Sequence, residues 1–214
     1  GRSEAERLVA RVRGIHARVQ GTTADGTPYR ADDPALLTWV HVTESYGFLQ
    51  GYRRYCRPVP TPLADAYYAE VASVAQALGA SDVPLREAEV DAYFASVHDT
   101  LRFDVRSREV LAVLARMRLP VPMAGLSRDL FLGAGSALLP EWAERLLQRT
   151  APQRLQSHIA SRSLAAAAPL FRAALPDGIA PRACARVGVD PSILSRWPSI
   201  HASATPTSTG QETP

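Results

Sequence analysis

The chain contains no lysine: all 24 of its basic residues are arginine. They are spread along 214 residues, the densest group being Arg53, Arg54 and Arg57, and the net charge is only +3. A polybasic nucleic-acid surface would be denser, so no nucleic-acid partner is expected. Cysteine is scarce. Cys56 and Cys184 stand far apart, with no C-x-x-C pair and no zinc spacing, and read as free thiols of a reducing compartment. No run of about 18 apolar residues occurs, which argues against a membrane span. The N-terminus lacks the charged start and apolar core of a secretory signal, so a cytoplasmic location is the expectation. Sustained period-two alternation is missing, which argues against a sheet. No repeat of fixed period is found. No G-x-S-x-G elbow is present. Gly133-Ala134-Gly135 lacks the third glycine and the preceding strand of a dinucleotide loop, and reads as a turn.

What remains is 46% apolar residues arranged with helical periodicity. A first helix is read over Ser3 to Val19. The loop from Gly21 to Tyr29 is dense in turn formers. Asp33-Pro34, a capping carboxylate followed by proline at the first helical position, opens a second helix that runs to about Tyr55. Thr61-Pro62 repeats the start signal, and Gly79 stops that helix after Leu78. Further helices are expected over Arg86 to Thr100, Ser107 to Met117, Pro140 to Gln148 and Pro152 to Ala174. Pro120 and Pro122 break the chain, and Gly125 to Pro140 reads as irregular. The fold class is all-α: a single multi-helix domain over 1–198 and a disordered Ser/Thr/Pro-rich tail over 199–214. The chain opens at Gly1 with the helical pattern beginning almost at once, as expected of an N-terminally truncated chain.

His16 carries the chemistry. Leu8, Val12, Ile15 and Val19 recur at spacings of three and four, and His16 shares their inward face. A buried imidazole needs a hydrogen-bond partner or a metal. His41 borders the apolar face of the second helix beside Trp39, and Glu44 lies three residues on, where a carboxylate can orient the ring. If the two helices pack antiparallel, both histidines can face one cavity. A histidine on an apolar face is ordinarily a satisfied core residue, and no third or fourth ligand accompanies these two, which argues against zinc. Haem asks for less, because the porphyrin supplies four nitrogens and one axial histidine completes the set. His98 lies at a helix end, His158 reads as surface, and His201 falls in the tail.

The string Arg11-Val12-Arg13-Gly14-Ile15-His16-Ala17-Arg18-Val19-Gln20-Gly21 resembles a hallmark of the MpaB-like oxygenase family. That family shares its catalytic domain with the rubber oxygenases (latex-clearing proteins). The segments Asp25 to Pro34, Leu37 to Thr43, Ala66 to Glu70 and Ala137 to Pro140 are similar too. The likeness covers about residues 3–175 and is most specific in the first 70. It implies an all-helical fold holding one haem b. Arg13 and His16 match the family's Arg-x-x-His pair, whose histidine is the axial ligand to the iron. By the same resemblance Arg13 supports the haem, through a propionate or a contact behind the ligand, and Trp39 and His41 line the cavity, His41 being the candidate catalytic side chain. Molecular oxygen is the implied co-substrate, and an apolar molecule such as an isoprenoid the implied substrate. The resemblance also implies some tens of residues before this helix that contribute to the haem surroundings, and on that comparison the chain is expected to begin after them.

Two other classes compete. One is a helical binding protein without turnover. The other rests on Ala183 to Trp197, which reads as a helix-turn-helix with Gly188 in the turn and Ser192, Ser195 and Arg196 facing a groove. The modest charge and the short second helix, ended by Pro198, argue against DNA binding. A plain helical hairpin closing the domain explains that pattern equally.

Overall fold

A computed structural model of the chain describes residues 1–23, 25–117, 124–174 and 178–194. Nine α-helices and one two-stranded hairpin account for most of them, in the all-α class the periodicity implied. The tail over 199–214, Pro120, Pro122 and the Ser195–Trp197 end of the helix-turn-helix reading lie outside the described residues. The chain divides into two compact units, Gly1–Ala168 and Pro169–Pro214.

In the first unit, α1 spans Arg2–His16. It leads into a hairpin of β1 (Gln20–Thr22) and β2 (Pro28–Arg30), antiparallel with Gly21 opposite Tyr29. This corrects the expectation of an unpaired loop. Three-residue strands are too short to show alternation, and local turn chemistry carries the pairing. Asp25 accepts from the Thr23 hydroxyl and from the Thr27 backbone N–H, and Gly26 takes a left-handed φ of 90°. A Cβ on Gly21 would lie 2.7 Å from the Tyr29 hydroxyl, so a larger residue there would push that ring aside.

Helices α2 (Pro34–Tyr55) and α3 (Thr61–Leu78) form an antiparallel pair. Asp33 caps α2 by accepting from the N–H groups of Ala35 and Leu36 at 2.8 and 3.2 Å. Gly79 ends α3 at φ 111°, where the Ala80 N–H reaches back to the Ala75 carbonyl. The buried stripe of α3 is Ala64, Tyr68, Ala72 and Ala75, and its three alanines let α2 approach closely. Helix α4 (Glu87–Val97) completes the core. Val42 and Leu49 from α2, Ala64 and Tyr68 from α3, and Val90 and Phe94 from α4 make one buried cluster. Arg53 and Glu87 pair at its edge and join the end of α2 to the start of α4.

Helix α5 (Val105–Arg116) follows a 3-10 turn at His98–Thr100 and contains no fully buried residue. Helix α6 (Ala124–Ser136) replaces the irregular segment and the Gly133–Gly135 turn read from sequence. Its glycine serves contact rather than turning: a Cβ on Gly133 would meet the Ala160 Cβ at 2.9 Å. Ala160 belongs to α8 (Ala151–Ala174), and α7 (Glu141–Leu146) lies between the two in sequence. Polar side chains fasten this half. Arg54 Nε donates to Ser161 Oγ at 3.0 Å, and the Tyr55 hydroxyl donates to the Ala134 carbonyl at 2.9 Å.

The second unit contains α9 (Ile179–Arg186) and a 3-10 turn at Pro191–Leu194. Gly188 closes α9 with a left-handed φ of 70°. The element that would enter a groove is thus one 3-10 turn of four residues among those described, shorter than a recognition helix. Cys56 and Cys184 are both free thiols.

Candidate functional site

The structure distributes the four singled-out side chains over separate surroundings. Arg13 and His16 lie at the end of α1, which packs against α3. The inward face of α1 differs from the one the periodicity suggested. Leu8, Ile15 and Val19 are 60%, 44% and 46% exposed, while Val9, Val12 and His16 are half-buried. With α3 as its main neighbour, α1 covers only a narrow stripe, and the rest of its apolar surface stays open.

His16 is the last residue of α1. Its Nδ1 is buried and meets no hydrogen-bond partner, one of two such orphaned side-chain atoms among the described residues. The other is the Tyr68 hydroxyl inside the core, whose pKa burial pushes well up. An unsatisfied buried polar atom costs roughly 1–3 kcal/mol. One turn earlier on the same face, Arg13 borders a groove of about 710 Å³ between α1 and α3, lined by Val9, Ala10, Val74 and Ala77 and by the polar Arg2, Glu6 and Ser73. Its Nη1 donates to the Ala77 carbonyl at 3.4 Å, a long bond that leaves most of the guanidinium's donors available.

His41 lies on α2 but away from Trp39. Two residues turn a helix by roughly 200°, so the two side chains leave it on different sides. The ring's partner is Ser45: its Nε2 lies 3.3 Å from Ser45 Oγ. Glu44, expected to orient the ring, is exposed and acts through its charge. Burial holds the His41 pKa below its ordinary 6.5, and the Glu44 carboxylate opposes the shift. His41 is therefore neutral at pH 7. Between the unfolded value near 6.5 and the lowered folded value, the unfolded chain binds more protons. This contribution to stability is whole above that window and is lost as pH falls through it. Urea midpoints at about pH 7.5 and about pH 5 should differ less in His41→Gln than in the unaltered chain, and equal differences would contradict the assignment.

Trp39 faces a different space, a cleft of about 890 Å³. Trp39, Tyr46 and Phe48 of α2 form one wall, and Phe94 of α4 the floor. Leu111 of α5, Leu138 ahead of α7 and Trp142 of α7 stand opposite, and the polar Thr43, Glu44, Arg102 and Ser107 also reach the lining. Phe94 joins the rings: Tyr46 and Trp142 lie 5.2 and 5.6 Å from it, and Trp39 stands edge-on at 6.2 Å. Neither Arg13, His16 nor His41 lines this cleft. Residues 101–147 supply its far side, and no spacing in the sequence linked them to Trp39.

Among the described residues, no three His, Cys, Asp or Glu side chains converge as a metal-ion set. No described helix is long and apolar enough to cross a membrane. His98 Nδ1 bonds Asp99 Oδ1 at 2.8 Å with its ring against Trp142, and His158 is exposed.

Compared with known families, residues 1–173 match the model described as ER-bound oxygenase mpaB/B'/Rubber oxygenase, catalytic domain. No curated protein and no solved structure matches the chain.

Proposed function

The chain belongs to the mpaB/rubber oxygenase catalytic-domain family, and on that premise we propose that it is a haem b-dependent oxygenase of an apolar substrate, with His16 as the axial ligand to the iron. The observation that carries this reading is the orphaned nitrogen of His16. A half-buried imidazole at a helix end, with one ring nitrogen buried and unpaired, is what a structure retains for a ligand when no protein group satisfies it. Among the described residues no His, Cys, Asp or Glu side chains join His16 as a metal-ion set, which suits haem, where the macrocycle supplies the other nitrogens. Arg13, three residues before it and facing the groove, offers a planar fork for a propionate.

When bound, the haem supplies the one-electron and oxygen chemistry. The protein's part is binding, orientation and exclusion of water. His16 holds the group and Arg13 anchors its carboxylates. His41, kept neutral by burial, holds its proton on one ring nitrogen and offers the other as an acceptor. An isoprenoid meets the requirement for an apolar substrate, and the cytoplasm is the compartment proposed for the chain.

Titrating the purified chain with haemin tests the cofactor. A sharpened Soret band that saturates at one haemin per chain is expected. A spectrum that stays that of free haemin at every ratio would overturn the reading and favour a binding protein without turnover.

A further inference from the structure

We propose that Ser45 is a positioning residue for His41. Its hydroxyl donates to Nε2, which fixes the neutral ring with its proton on Nδ1 and makes His41 a hydrogen-bond donor to its ligand. The proposal rests on the oxygenase reading for the part that His41 plays, and adds which proton the ring carries. Three observations carry it.

The first is a departure from the habit of this helix. A serine or threonine inside a helix ordinarily bonds a backbone carbonyl one turn back. Thr38 and Thr43 of α2 do so, donating to the carbonyls of Pro34 and Trp39 at 2.9 Å each. Ser73 of α3 and Ser96 of α4 likewise donate to carbonyls three residues back. Ser45 does not. Among the described residues the partner of its hydroxyl is the His41 side chain, with Oγ 3.3 Å from Nε2.

The second is what burial demands. Ser45 is 4% exposed. A hydroxyl has one proton to donate, and a buried one without an acceptor loses that bond outright. A neutral imidazole has one N–H and one bare nitrogen. Were the proton on Nε2, the Ser45 O–H would find no acceptor there. With the proton on Nδ1, Nε2 accepts from Ser45 and both groups are satisfied. The Tyr67 hydroxyl of α3 donates to the Ser45 carbonyl at 3.2 Å and holds this turn of α2 in place.

The third is what stays open. His41 Nδ1 has no partner among the described residues, and it is not one of the buried orphaned atoms, so solvent or a ligand reaches it. Glu44 is the charged group that acts on the ring, and burial keeps the ring neutral against it. The accepting nitrogen is already engaged by Ser45. What His41 presents is therefore an N–H, suited to a ligand oxygen with a free lone pair. In that form it steadies negative charge on oxygen rather than removing a proton.

The test uses the full chain without haem, its histidines labelled with nitrogen-15. Two-bond proton–nitrogen correlation spectra are recorded at about pH 7.5, where the ring is neutral. His41→Gln identifies the His41 signals by their loss. The shift of a protonated nitrogen is expected on Nδ1 and that of a bare nitrogen on Nε2. Ser45→Ala removes the donor with a good helix former of nearly the same size, and circular dichroism will register that the fold is kept. It should move the tautomer ratio toward Nε2–H by about fivefold or more, the effect of losing one ordinary hydrogen bond. Thr43→Ala removes a hydroxyl that bonds the backbone, and should change the ratio by less than about twofold. A ring protonated on Nε2 in the unaltered chain, a ratio that ignores Ser45→Ala, or one that Thr43→Ala moves equally would overturn the proposal. Haemin binding is read separately by absorbance, so this proposal and the cofactor reading fail independently.

Discussion

His16→Ala is expected to lower haemin affinity by about a hundredfold or more, with free imidazole in the buffer restoring part of the Soret band. Loss of an outer partner that merely orients a ligand costs roughly 10–100-fold in metal affinity, and removing the ligand itself should cost no less. Imidazole can enter the space the truncation leaves and supply the missing nitrogen, which a purely structural role for His16 would not allow. Arg13→Leu should weaken haemin binding less, by about tenfold, with the band shape unchanged. That variant loses a charge-assisted contact to a carboxylate and leaves the iron's ligand in place. Val12, half-buried on the same helix, separates ligation from packing: Val12→Ala should alter melting more than it alters the spectrum. Equal haemin affinity in His16→Ala and the unaltered chain would remove His16 from the iron.

Phe94→Ala is expected to destabilise the protein by about 3–5 kcal/mol in urea unfolding, while Phe94→Leu costs under about 1.5 kcal/mol. Phe94 is only 6% exposed and is the ring that Trp39, Tyr46, Tyr93 and Trp142 all meet. Truncation removes its buried area and those ring contacts together, and each aromatic pair adds about 0.5–1.5 kcal/mol beyond area burial. The neighbouring side chains cannot all close the gap, since Val42, Leu49 and Tyr68 are already packed against one another. Leucine preserves most of the volume and loses mainly the ring contacts. A Phe94→Ala chain within about 0.5 kcal/mol of the original would show a surface-like position and would contradict the core described above.

The elements that sequence made legible are those whose cause is local. Asp33-Pro34 announces α2 because a carboxylate two and three residues from free N–H groups caps any helix it precedes. Gly79 announces the end of α3 because only the backbone at that residue needs positive φ. Features with distant causes were not legible. Gly133 and Gly135 look like a turn until Ala160 is known to press on α6. Arg54 and Ser161 meet across 107 positions of sequence, and nothing near either announces the other. The inward face of α1 departs from its apolar periodicity for a similar reason. Periodicity gives a stripe, but how much of it is covered depends on how many elements lie against the helix, and α3 covers only part. At the candidate site, Arg13 and His16 were found through a motif, and Trp39 through its neighbours in sequence. That Trp39 and His41 leave α2 on different sides follows from helical pitch alone. The cleft that Trp39 enters is built by residues far along the chain.

Resonance Raman spectroscopy of the ferrous, haem-loaded chain addresses the iron's ligand most directly. With histidine labelled by nitrogen-15, an isotope-shifted iron–imidazole stretching band is expected in the unaltered chain. It should persist in His41→Ala and disappear in His16→Ala. A band that survives the loss of His16, or one that vanishes with His41 instead, would contradict ligation from the end of the first helix.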